Sequence, residues 1–166
     1  MNRRFTQALQ TLGRDRNSAC IPYLTAGTHT DADLATLAQK APAVVLALAF
    51  SDPCADSLKA AIAAQKALDN GATTADFFKT LAEIRTQAPH TAICVRAYAN
   101  NIFAFGLDTF LEAIRAAGAD AVTIPDLPSV MREMDPTWDD ACKALDLELV
   151  ELDAPEVQRL IQDANI

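Results

Sequence analysis

The stretch Ala43-Val44-Val45-Leu46-Ala47-Leu48-Ala49-Phe50-Ser51-Asp52-Pro53-Cys54-Ala55-Asp56 decides how this chain is read. Its first seven residues are apolar without a break. That is too few to cross a bilayer, and it suits a strand buried on both faces, as in a parallel sheet. Two carboxylates four apart, Asp52 and Asp56, follow around a proline just past the strand's C-terminal end. Barrels built of βα units place their chemistry there.

Working outward, short runs rich in β-branched residues alternate with amphipathic segments, the signature of βα repeats on a parallel sheet. Strands are expected near 19–24, 44–49, 92–97, 121–124 and 147–152. An opening helix over about 3–12 places Phe5, Ala8, Leu9 and Leu12 on one face and stops at Gly13. Thr30-Asp31-Ala32-Asp33 opens the next helix like a capping box, with Leu34, Leu37 and Ala38 as its stripe. Two helices, about 57–69 and 74–87, fit between the second and third strands. Later stripes are Leu107, Phe110, Leu111 and Ile114; then Trp138, Ala141, Cys142 and Leu145; and last, after Pro155, Val157, Leu160, Ile161 and Ala164. Glu148 and Glu151 fall on opposite faces of the fifth strand, as suits an exposed edge.

The 166 residues, 51% hydrophobic and 22% charged, fit one soluble domain with a real core. A net charge of −8 argues against nucleic acid and anionic membrane surfaces as partners. The four cysteines, Cys20, Cys54, Cys94 and Cys142, are scattered, and only His29 and His90 accompany them, so no metal site with usual ligand spacing can be written. Cys20, Cys94 and Cys142 read as buried small hydrophobes. No metal and no cofactor is expected. The basic start Met1-Asn2-Arg3-Arg4 has no apolar signal core behind it, which predicts a cytoplasmic protein.

Phe50-Ser51-Asp52-Pro53-Cys54-Ala55-Asp56 closely resembles the FSDPxADG loop of the tryptophan synthase α chain family. Ile21-Pro22-Tyr23-Leu24-Thr25-Ala26-Gly27 is similar to that family's PFxTxGxP, and Arg96-Ala97-Tyr98-Ala99-Asn100-Asn101-Ile102-Phe103 with Gly106 to its MYANxxFxxG. Ala117-Gly118-Ala119-Asp120-Ala121-Val122 through Pro125-Asp126-Leu127-Pro128 resembles its GVDxVxxxDxP. The resemblance implies an α/β fold, an incomplete (β/α) TIM-type barrel of about five parallel strands with outer helices, in a single truncated domain over 1–166. A closed eight-stranded barrel needs roughly 200 residues or more, so the last three strands and their phosphate-holding loops are expected to be missing.

The family cleaves indole-3-glycerol phosphate by a retro-aldol step, using a glutamate on the second strand for proton transfer. Val45 stands in that place, so no intact catalytic residue is expected. Ser57, Ala49 and Ala47 also depart from the family's glycine, proline and glycine. By position, Asp56 matches the indole-binding aspartate, Tyr98 a site-lining tyrosine and Asp126 an aspartate beside the site. The residues themselves allow other readings: Asp52 and Asp56 as helix caps around Ser57, Asp126 as a turn residue, Tyr98 as a core aromatic. Asp52, Pro53, Asn100, Phe103 and Pro128 match positions that dock on the pyridoxal phosphate-dependent β chain; Phe103 as core and Asn100 as a turn cap is the alternative. Three functions stay open: a degenerate homologue that still binds a β chain, a lyase subunit completed by a partner chain, and an inactive remnant.

Overall fold

The computed structural model describes residues 3–14, 20–152 and 155–164. The five expected strands are β1 (Ile21–Thr25), β2 (Ala43–Ala47), β3 (Ala92–Arg96), β4 (Ala121–Thr123) and β5 (Glu148–Leu149), all parallel and adjacent in chain order. A sixth, β6 (Ile161–Asp163), adds in parallel on the other side of β1, giving the order β5-β4-β3-β2-β1-β6. β6 corrects the expectation of one long final helix. Only Pro155–Gln158 is helical there, and the backbone beyond it bonds to β1, with Ile21 N–H donating to Leu160 O and Ala164 N–H to Tyr23 O. An unpaired strand edge offers a full row of donors and acceptors, and that outweighs the helical spacing of Leu160, Ile161 and Ala164.

The helices are α1 (Arg4–Arg14), α2 (Asp31–Gln39), α3 (Leu58–Asp69), α4 (Thr74–Gln87), α5 (Ala99–Phe105), α6 (Leu107–Ala116), α7 (Ser129–Met134), α8 (Thr137–Ala144) and α9 (Pro155–Gln158). The short α5 and α7 follow β3 and β4, where the sequence pattern predicts no helix. Thr30, Ser57 and Thr73 each accept a hydrogen bond from the backbone N–H three residues on, fixing the starts of α2, α3 and α4.

Alternation along each strand sorts the apolar runs onto two faces. Leu24, Val44, Leu46, Ile93, Val95 and Val122 form the outer face, packed under α2, α4, α6 and α8 through Leu34, Phe77, Leu81, Ile84, Phe110, Leu111, Ile114 and Trp138. The inner face carries Ile21, Tyr23, Ala43, Val45, Ala47, Ala92, Cys94 and Ala121. Its alanines leave room for a helix. α1 takes that room, burying Phe5 and Leu12 against the inner face, so this helix does not join the outer layer. Burying Phe5 there stabilises the fold by about 1.5–3 kcal/mol. Leu152, with half-buried Val157 and Leu160, covers the rest of that face.

Glu148 corrects the expected solvated edge. It is 3% exposed, and its carboxylate accepts from the Phe5 and Thr6 backbone N–H groups (2.8 and 3.1 Å) and from the Thr6 hydroxyl. The first turn of α1 supplies orphan amides and a positive dipole end to neutralise the charge. Glu151 is exposed, as expected. Asp120 plays a comparable part, accepting from Ile93 N–H at 2.9 Å and pairing with Arg85 at 2.6 Å. Because three donors lose their partner together, Glu148→Ala lowers unfolding stability by about 2 kcal/mol or more in urea titration. A loss within 0.5 kcal/mol (about the scatter of a surface change) would contradict this role for Glu148.

Candidate functional site

The C-terminal ends of β1, β2 and β3 converge on a buried cluster of polar side chains. Asp56, in the loop after β2, turns inward. Arg96 Nε donates to its Oδ1 at 2.9 Å, and the Tyr23 hydroxyl donates to the same oxygen at 3.2 Å. The Arg96 and Asp56 side chains are 5% and 9% exposed, so this is a buried ion pair. Arg96 Nη2 also donates to Ala55 O at 3.1 Å, and Ala55 N–H donates to the Tyr98 hydroxyl at 3.0 Å. Tyr98 is itself buried, and its ring stacks on Phe50 with centroids 4.9 Å apart.

Of the two readings of Asp56, helix capping is not what the geometry shows: Ser57 caps α3 by accepting from Ala60 N–H. Asp52 is exposed and accepts from its neighbour Ser51, so it caps nothing either. Asp126 lies in a turn closed by Leu127 N–H to Ile124 O, and its carboxylate accepts from Ala99 N–H at 2.9 Å, capping the start of α5. It is brought beside Tyr98's chain neighbour, but its bond goes to backbone.

Val45 faces the same interior. It is in register with Tyr23 on β1 and Cys94 on β3, wholly buried among apolar groups. Burial holds the Cys94 thiol well above its usual range. Of the other cysteines, Cys142 is buried as expected, Cys54 is exposed, and Cys20 is only half-buried, a correction to its core reading. Among the described residues no group of three His, Cys, Asp or Glu could hold a metal ion, and no helix is long and apolar enough to cross a membrane.

The cleft over the cluster, bounded by Tyr23, Asp56, Arg96, Leu152 and Gln158, measures about 200 Å3. Small-molecule sites usually enclose roughly 300–1,000 Å3. A larger cavity of about 630 Å3 lies outside it, against Asp31, Thr73, Lys79 and Asn101, and holds none of the expected site residues.

Sequence reasoning missed Tyr23 and Arg96. The signal was present in Ala92-Ile93-Cys94-Val95-Arg96-Ala97, since a charge inside a doubly buried strand requires a buried counter-charge. Burial first, and Asp56 next, raise the Tyr23 phenol well above the ordinary tyrosine range, and burial pushes Tyr98 up to about 12. These are the chain's two tyrosines. In the folded state, then, no tyrosinate absorbance appears as pH passes 10, the ordinary phenol value, whereas the urea-unfolded chain titrates there. Folded-state values above unfolded ones make stability full below pH 10 and progressively lost as pH rises above it. Tyrosinate forming near pH 10 in the folded chain would contradict the buried cluster.

The expected docking residues lie on one rim. Phe103 is 63% exposed on α5, its ring edge-on to Trp138 of α8 at 5.1 Å, which corrects the alternative that it is core. Asn100, Asp52 and Pro128 are exposed and Pro53 half-buried. Bonds from Ala55 N–H to the Tyr98 hydroxyl and from Ala99 N–H to Asp126 tie the loops after β2, β3 and β4 together. Beside Pro128, α7 exposes Val130, Met131 and Met134, at 59%, 54% and 83%. Arg132 anchors that helix through Asp139 at 2.8 Å and Glu151 at 3.2 Å.

The sequence profile described as tryptophan synthase alpha chain matches residues 9–164. The chain is similar to the tryptophan synthase alpha chain of Opitutus terrae, 35% identical over 157 residues that make up 92% of this chain and 58% of that one. Similarity to the Helicobacter pylori protein of the same name is 35% over 136 residues, 79% of this chain and 52% of the relative. The chain therefore spans little more than half the length of these relatives. Among solved structures, the tryptophan synthase alpha subunit of Pyrococcus furiosus superposes with a TM-score of 0.70 at 29% identity, over 79% of this chain and 54% of that one. Tryptophan synthase of Mycobacterium tuberculosis shares the fold, with a TM-score of 0.74 at 22% identity over 87% and 58%.

Proposed function

The chain belongs to the tryptophan synthase alpha chain family, and on that premise we propose that it serves tryptophan biosynthesis by docking on a β-type chain, without cleaving indole-3-glycerol phosphate itself. The observation that carries this reading is a contrast of burial. Where the family keeps its proton-transferring glutamate, Val45 is sealed at 0% exposure, while Phe103, at a family docking position, stands 63% exposed.

The geometry around Asp56 supports the loss of chemistry. The family's aspartate at that position binds the indole nitrogen, but here both Arg96 and Tyr23 already donate to the carboxylate. A positioned acid–base group contributes about 10²–10⁴ in rate, and an apolar side chain supplies none of it. Exposed apolar side chains grouped on one rim favour a protein partner. Phe103, Val130, Met131 and Met134, with Pro128, supply such a surface.

A lyase completed by a second chain is the less favoured reading, because a partner's closing strand would need the free edge of β1, and β6 occupies it. Indole release assayed with and without the β chain, alongside co-elution of the two proteins, tests the proposal. Co-elution without indole release is the expected result. Indole release on mixing supports the completed lyase, and neither co-elution nor release leaves an inactive remnant.

A further inference from the structure

We infer that Arg96 is a positioning residue, which locks the loop after β2 from inside the sheet and so presets the docking surface built on Asp52 and Pro53. The inference rests on the docking reading for its consequence in binding, and on geometry alone for its consequence in the free chain.

The loop between β2 and α3 is exposed at Ser51, Asp52, Cys54 and Ala55. Its own backbone bonds are two short-range turns, Cys54 N–H to Asp52 O and Asp56 N–H to Pro53 O. Such a loop, left to itself, opens easily. The other bonds that hold Ala55 and Asp56 come from Tyr23 on β1, Arg96 on β3 and Tyr98 just beyond β3. Arg96 reaches both residues at once, through Nε to Asp56 and Nη2 to Ala55 O, while Tyr98 accepts Ala55 N–H and Tyr23 donates to Asp56. Both backbone groups of Ala55 and the carboxylate of Asp56 are thereby fixed, immediately behind the exposed Asp52-Pro53 tip.

The arginine is the member without which the rest fails. Asp56 is driven inward because a counter-charge waits there, and a buried guanidinium without its carboxylate is strongly disfavoured. Arg96 sits on β3, which is paired with β2 on one side and β4 on the other, so the clamp is fastened to the interior of the sheet. A loop ordered before encounter loses less conformational freedom on binding, which raises affinity without adding a contact. The side chain at the mouth of the cleft thus serves the outer surface of the loop.

Amide hydrogen exchange on the isolated chain tests this, comparing the native sequence with Arg96→Met and with the charge-balanced pair Arg96→Met/Asp56→Asn. The pair leaves no buried charge unpaired, and keeps the test open if the single variant does not fold. Exchange at Cys54, Ala55 and Asp56 is expected to speed up by about tenfold or more, with amides of β2 and β3 unchanged. A residue that served general stability alone would speed exchange in loop and strands together. Loop exchange within about twofold of the native chain, or strand and loop loosened equally, would overturn the inference. Titration of both forms with the β chain adds the second arm, in which affinity falls by about tenfold in the charge-balanced variant. Unchanged affinity overturns the proposed consequence for docking. If the native chain does not bind at all while the loop loosens as expected, the docking reading fails and the clamp stands.

Discussion

Given indole-3-glycerol phosphate, the purified chain releases indole at least about a hundredfold more slowly than an intact family member, the lower end of what one lost acid–base group costs. The step needs a proton delivered to the indole ring carbon and charge stabilised at the ring nitrogen. Val45 has no proton to give, and it lies fully buried beside Cys94, whose thiol is itself held protonated by burial. Asp56 is engaged by Arg96 at 2.9 Å and Tyr23 at 3.2 Å. Val45→Glu alone leaves the rate at background, because Arg96 still holds Asp56 and the cleft still measures about 200 Å3. The substitution also places a carboxylate in the inner core, so it lowers stability. Indole release within a hundredfold of an intact enzyme, or a clear rescue by Val45→Glu, would show that the chemistry survives in a form this geometry does not reveal.

Phe103→Ala weakens association with the β chain by about 2 kcal/mol or more, close to thirtyfold in dissociation constant. Aromatic anchors dominate interfaces because they bring large area at little entropic cost. Phe103 is the largest exposed side chain on the rim, and its edge contact with Trp138 limits how far the ring can swing. Its removal costs the fold little, since most of the ring faces solvent. A calorimetric titration of the variant, with the thermal midpoint of each protein as control, separates binding from stability. An unchanged dissociation constant would move the anchor elsewhere, to the methionines of α7.

The positions of the five strands were legible because doubly buried parallel strands leave unbroken apolar runs, and the observed bounds fall within two residues of expectation at every N-terminal end. The cap at Thr30 was legible from its capping box, whereas capping at the start of α3 was read on Asp52 and Asp56 and falls to the Ser57 hydroxyl. What lay hidden depended on distant partners. Period two put Glu148 and Glu151 on opposite faces, but only the fold brings Phe5 and Thr6 to Glu148. The segment after Pro155 carries a helical stripe, and it pairs as a strand because the edge of β1 is open beside it. α5 and α7 are too short to show a periodic stripe. Resemblance pointed to Asp56, Tyr98 and Asp126, while Arg96 and Tyr23, the partners that engage Asp56, came from strands read only as core. Their joint effect on the loop after β2 is a property of packing, and no local pattern announces it.

Isothermal calorimetry of the native chain against its cognate β chain decides whether it docks without catalysing, with indole measured in the same cell after addition of indole-3-glycerol phosphate. Saturable association is expected, with a dissociation constant below tens of micromolar, of the order expected of a specific protein interface, and no indole above background. Absence of association at tens of micromolar, or indole released as the complex forms, would contradict it.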